Sequence, residues 1–187
     1  MKKLTNLLIV AGAGRNVGKT EFVCRLITQI SRQMDIYGLK VSAIHPDEEM
    51  YHGNHSTQPC TTNLYEERRS DLDKDTSRML RAGATQVYYL QGDDEQIRTG
   101  FQEFQRSIPL SAPVVCESSS LWKYVQPGLL ILIKTASVET KPRALEIAEH
   151  ASLIVESDGL SGFSQLESIT YSNIHGWSYD YRQPVQD

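Results

Sequence analysis

Apolar positions in this chain fall into short unbroken runs separated by amphipathic stretches, and that alternation predicts its layout. Leu7-Leu8-Ile9-Val10 contains no polar residue, as expected of a strand buried on both faces. Phe22, Val23, Leu26, Ile27 and Ile30 then recur at helical spacing, with Glu21, Arg25, Gln29 and Arg32 on the other side. Gly38 reads as the end of that helix, and Val41-Ser42-Ala43-Ile44 as a second strand closing at His45-Pro46. Residues 46–73 carry almost no apolar periodicity and hold Tyr51 and Tyr65 among polar residues. A loop of that length suggests a lid, a binding loop or a disordered segment. Within it, Leu64 to Arg69 suggests a short helix.

Lys74 to Ala82 reads as a helix ending at Gly83, followed by a strand over 86–90. Ile97, Phe101, Phe104 and Ile108 trace an amphipathic helix stopped by Pro109. Pro113 to Glu117 is a buried strand with an acidic end, Leu129 to Ile133 another strand, Arg143 to Glu149 a helix, and Ser152 to Val155 a last parallel strand. From Asp158-Gly159 the pattern weakens, and Phe163, Leu166 and Ile169 suggest one short helix. Strands alternating with helices predict an α/β fold in three layers, a mostly parallel sheet flanked by helices. Ligands of such sheets bind outside the carboxyl ends of the strands.

The junction of the first strand and helix carries the main chemical motif. Ala13-Gly14-Arg15-Asn16-Val17-Gly18-Lys19-Thr20 follows Gly-x-x-x-x-Gly-Lys-Ser/Thr, with Ala at the first position. Successive backbone N–H groups must wrap a polyphosphate, so Gly14 and Gly18 avoid side chains where phosphate comes close. Lys19 is expected to face solvent until it meets the β/γ-phosphates, and Thr20 to offer a hydroxyl to Mg²⁺. The helix N-terminus, including Glu21, completes the expected phosphate site. This context predicts a P-loop NTPase fold, one nucleotide-binding domain over residues 1–187 with a poorly defined tail from about 158.

Other residues group around that site. Glu117 ends a buried strand at the same edge, where such enzymes need an acid to hold Mg²⁺ or orient water; the alternative is a cap for Ser118-Ser119-Ser120. Lys19 and Glu117 are therefore the catalytic candidates, Thr20 and Glu117 the metal candidates. Asp75, in the cluster Asp71, Asp73, Lys74 and Asp75, reads equally as a helix-start acid or as a contact to Mg²⁺ or a second substrate. His45, His52, His55 and Cys60 match no standard zinc spacing.

Composition narrows the partners. At 187 residues, 40% hydrophobic and 22% charged, the chain suits one ordinary globular domain. A net charge of -4 argues against nucleic acid as the main partner, and no stretch approaches the ~18 apolar residues of a membrane span. Lys2-Lys3 and the run after them faintly suggest a signal peptide, but cleavage after Ala11 or Ala13 would destroy the glycine loop. Cys24 and Cys116 fall in predicted core elements, which points to reduced thiols in a cytoplasmic protein; apolar neighbours make Cys116 an inert thiol rather than a nucleophile.

With these segments laid out, the chain resembles the molybdopterin-guanine dinucleotide biosynthesis accessory (MobB-like) P-loop proteins. The matching segments are the loop itself, Val41 to His45, Lys74-Asp75-Thr76-Ser77-Arg78 running on to Ala82-Gly83-Ala84, and Val114-Val115-Cys116-Glu117. Asn16-Val17-Gly18-Lys19-Thr20 is also similar to dethiobiotin synthetase and its cobyrinic-acid synthase relatives, although His45-Pro46 stands where that group has Lys-Pro. The resemblance implies a slow Mg²⁺-dependent NTPase of GTP or ATP that delivers or modifies a metabolite; a homodimer is compatible with it. Two alternatives stay open: an ATP-dependent kinase or synthase acting on a small acid or hydroxyl, and a nucleotide-gated module that contacts a partner enzyme.

Overall fold

The run predicted as the first strand is the buried half of a longer one, β1 (Lys3–Gly12), whose residues Leu7 to Ala11 have almost no exposed surface. The structure, a computed structural model, describes residues 3–44, 63–135, 142–157 and 163–181. After β1 come α1 (Lys19–Ile30), β2 (Tyr37–Ala43), β3 (Leu64–Glu67), α2 (Asp75–Arg81), β4 (Gln86–Gly92) and α3 (Asp94–Ser107). The rest of the chain adds β5 (Val114–Glu117), β6 (Gln126–Lys134), α4 (Pro142–His150), β7 (Leu153–Glu156), β8 (Ile169–Ser172) and β9 (Gly176–Tyr179).

Seven strands form one sheet in the order β3-β4-β2-β5-β1-β6-β7, parallel throughout except for β3 against β4. Alternation along β1 assigns the two faces. Leu8 and Val10 join Phe22, Leu26 and Ile27 of α1 and Met79 of α2 in one core. Leu7 and Ile9 join Phe101 and Phe104 of α3 and Ile147 of α4 in the other. The protein is α/β, with a mostly parallel sheet flanked by helices on both faces. No helix among the described residues is long and apolar enough to cross a membrane.

Helix starts follow local chemistry. Asp93 caps α3 with a reciprocal box: its carboxylate accepts from Glu95 N and Gln96 N, and the Gln96 side chain accepts from Asp93 N. Such caps contribute about 1 kcal/mol.

Three expectations need correction. Gly38 does not end the first helix: α1 stops at Ile30, where Ser31 N donates to Ile27 O at 2.8 Å, and Gly38 lies inside β2. A Cβ on Gly38 would lie 3.0 Å from Val87 Cγ2 and 3.4 Å from Met79 Sδ, so this glycine serves the close packing of α2 on the sheet. Leu64 to Glu67 is a strand rather than a helix, pairing antiparallel with β4 from Leu64–Leu90 to Glu67–Val87. Leu64 is buried there, and cross-strand pairing outweighs the weak local pattern. The third concerns the tail expected to be poorly defined: its described residues, 163–181, form a 3₁₀ turn over Ser164–Ser168, where one short helix is expected, and the β8–β9 hairpin. Phe163 meets Phe22 edge-to-face at 5.2 Å, and Trp177 Nε1 donates to Asn6 O at 2.9 Å, so the tail closes the core on the α1 side. The rest of the predicted lid, residues 46–62 with Tyr51, His52, His55 and Cys60, lies outside the described residues, as does His45.

Candidate functional site

The residues of 13–20 run from the carboxyl end of β1 into the first turn of α1. Ala13 and Val17 are buried and anchor the loop, with Ala13 N donating to Ile133 O at 2.8 Å. Arg15 and Asn16 are exposed. Asn16 has φ 57° and Gly18 φ 89°, so the chain makes two left-handed steps before entering α1. Gly18 tolerates this without a Cβ penalty. The first-turn amides of any helix lack intrahelical acceptors, and here they belong to residues lining a cleft of about 710 Å³.

Lys19 is half-buried on the cleft wall rather than fully exposed to solvent. Its side chain folds back over the loop, and the ammonium donates to Gly14 O at 2.8 Å. Burial lowers its pKa, with the Lys40 ammonium acting in the same sense against the opposing carboxylates of Glu117 and Asp75. Glu21 turns to the rim instead, pairing with Arg78 at 2.9 Å and with Arg25 at 2.8 Å.

Behind the loop lies a compact polar cluster. The Thr20 hydroxyl lies 2.8 Å from Glu117 Oε2 and 3.1 Å from Asp75 Oδ1, sharing one proton between two carboxylates. The other oxygens of both acids receive the Lys40 ammonium: Glu117 Oε1 at 3.0 Å, and Asp75 Oδ2 in direct contact. Burial alone would lower the Lys40 pKa, but the two carboxylates outweigh it and the net shift is upward. Burial would likewise raise Asp75, yet Lys40, Thr20 and Arg78 hold it below its ordinary value.

These contacts bear on the capping roles that the sequence left open for both acids. Glu117 does not cap the Ser118-Ser119-Ser120 segment; Ser118 Oγ does, accepting from Ser120 N and Leu121 N. Asp75 sits in the first turn of α2, but its carboxylate reaches Thr20 and Lys40, and the N-cap residue is Lys74. Lys40 was not among the expected site residues. Its signal was a cation between buried Leu39 and Val41 in an interior strand, which is costly unless paired.

The neighbouring edge strand supports this cluster. Glu67 of β3, its side chain only 7% exposed, accepts from Lys74 Nζ at 2.7 Å, from Thr76 Oγ1 at 2.7 Å and from Arg69 N at 3.0 Å. Two of these donors flank Asp75, so Glu67 fixes the start of α2 beside the cleft.

Cys24 and Cys116 are free thiols, as expected. Burial pushes Cys24 up to about 11 and Cys116 well above the usual thiol value, so neither is poised as a nucleophile. Among the described residues no group of three or more His, Cys, Asp and Glu is arranged to hold a metal ion. A Mg²⁺ site needs less from protein, since that ion keeps waters and takes one or two carboxylates plus substrate phosphates. Thr20, Asp75 and Glu117 supply a hard oxygen set of that size and fit it.

Comparison of the chain with family models, curated proteins and solved structures returned no match.

Proposed function

We propose that the protein binds a nucleoside triphosphate with Mg²⁺ on the 13–20 loop and hydrolyses it slowly, as a P-loop NTPase similar to the MobB-like accessory proteins. One observation carries the reading: the Thr20 hydroxyl meets the carboxylates of Asp75 and Glu117 beside Lys19, in a cleft at the carboxyl edge of a mostly parallel sheet. Lys19 and the first amides of α1 take the phosphate oxygens. Thr20, Asp75 and Glu117 would hold Mg²⁺, which when bound neutralises charge on the phosphates and polarises them. Glu117 orients the attacking water, and Arg15 and Arg78 add positive charge along the cleft wall.

Calorimetric titration with ATP, GTP and CTP, with and without Mg²⁺, tests this reading. Micromolar binding that needs Mg²⁺ and is lost in Lys19→Ala is the expected result. No binding of any triphosphate overturns it.

Lys40 favours a second reading on the same fold. A second ammonium in the cleft supplies the kind of cation that phosphoryl transfer to a small acid or hydroxyl requires. Product analysis with ATP and candidate carboxylic acids or alcohols separates transfer from hydrolysis to free phosphate. For the accessory role, the test is molybdoenzyme activity in a strain lacking the gene; normal activity there removes that role and leaves the nucleotide reading intact.

A further inference from the structure

Every oxygen assigned above to Mg²⁺ is already engaged by this chain. Lys40 Nζ lies against Asp75 Oδ2 and 3.0 Å from Glu117 Oε1, and Thr20 Oγ1 bridges the remaining oxygens of the two acids. The ammonium therefore stands where a cation belongs. It is tethered to that place, because Lys40 and Glu117 are register partners in β2 and β5. A tethered group competes at a high effective concentration that dilution does not change.

We propose that Lys40 is a built-in competitor for the divalent-cation site: metal enters by displacing the ammonium, and the displaced ammonium takes a phosphate oxygen of the incoming ligand. Charge accounting gives the direction. Two carboxylates with one ammonium leave one negative charge, and exchange for a divalent cation neutralises the carboxylates but strands the lysine. The Lys40 side chain is only 22% exposed, so a stranded ammonium is costly unless an anion meets it. Four methylenes give it the reach to relocate. Metal alone should then bind weakly, and metal and polyphosphate should each strengthen the other, since such coupling is reciprocal. This rests on the proposed reading in taking Thr20, Asp75 and Glu117 as metal oxygens.

Mn²⁺ titrated without nucleotide and followed by electron paramagnetic resonance tests the exchange. Lys40→Met, which keeps bulk and removes charge, should bind Mn²⁺ about tenfold tighter than the parent protein, within the usual range of coupling between competing ligands. Equal or weaker binding in a folded Lys40→Met protein overturns the proposal. A second measurement needs no variant. Acylation of Lys40 by an N-hydroxysuccinimide ester, read by peptide mass spectrometry, should rise at saturating Mg²⁺ as the ammonium leaves its carboxylates; unchanged labelling overturns the proposal even if Lys40→Met does not fold. Because both readouts use metal alone, failure of either strikes the exchange, whereas failure of triphosphate binding strikes the nucleotide reading first.

Discussion

Lys40 and Glu117 face each other across adjacent parallel strands and close an ion pair of 3.0 Å, although 77 positions separate them in the chain. Glu117 is 5% exposed, and its two carboxylate oxygens are engaged by that ammonium and by the Thr20 hydroxyl. The pair holds two strands in register and aims both side chains at the 13–20 loop.

Glu117→Gln keeps the shape and removes the charge. It should lower turnover and Mg²⁺ affinity, and weaken Mg²⁺-triphosphate binding less than Lys19→Ala does, because the shape of the site is kept. Stability should fall by about 1–3 kcal/mol, because the amide replaces a charge-assisted bond to Lys40. Turnover and denaturant unfolding measured together separate the effects; parent-like turnover would reduce Glu117 to a structural partner of Lys40.

Lys19→Ala should weaken triphosphate binding by roughly ten- to a hundredfold, the equivalent of about 1.5–3 kcal/mol for a charge-assisted contact. Folding should suffer less, since the only bond described from the ammonium goes to Gly14 O. Calorimetry and thermal melts check both. Unchanged affinity in a folded variant removes the 13–20 loop as the phosphate site.

The sequence made the α/β alternation legible because the central strands are buried on both faces and show unbroken apolar runs. It also located Thr20, Lys19 and Glu117, whose signals are local: a glycine loop, and an acid at the end of an apolar strand. Lys40 was hidden by one misplaced boundary. With Gly38 taken as a helix end, the second strand began at Val41, and Lys40 became a loop cation instead of a charge inside β2. Asp75 stayed ambiguous because a first-turn acid satisfies the same pattern whether it faces the helix dipole or a distant Thr20. β3 escaped notice for a tertiary reason, since four residues with two glutamates become a strand only against β4. Nothing local marks that pairing.

Glu67 gives the acid side of the stability profile. Burial would raise its pKa, but hydrogen bonds from Lys74, Thr76 and the Arg69 amide hold it below the ordinary value. A carboxylate depressed in the folded state contributes stability that is present above its unfolded pKa and lost as pH falls through the folded one. The start of α2 should therefore loosen below about pH 4.3, the ordinary Glu value. Urea unfolding from pH 6 downward should show a weaker pH dependence in Glu67→Gln than in the parent protein. Equal slopes would mean that other carboxylates govern acid unfolding.

Gly12→Ala probes how Lys19 is held ready. A Cβ at position 12 would lie 2.6 Å from Lys19 Cδ and 2.8 Å from Lys19 Nζ, closer than carbon and nitrogen tolerate. The obstructed atoms, Lys19 Cγ at 2.9 Å among them, all belong to one flexible side chain and none to the backbone, so the lysine moves and the fold survives. Gly12 N, 3.5 Å from Ser119 Oγ, keeps its place because the substitution leaves the amide intact. Triphosphate affinity should fall toward that of Lys19→Ala, since the ammonium can no longer lie over the loop against Gly14 O. The melting temperature should move by only a few degrees, as for a loss of about 1 kcal/mol. Combining the two substitutions sharpens the test: if Gly12→Ala acts through Lys19, the double variant binds no worse than Lys19→Ala alone. Additive losses would show that the extra methyl group obstructs the phosphate directly, and an unaffected single variant would show that Lys19 reaches its ligand by another path.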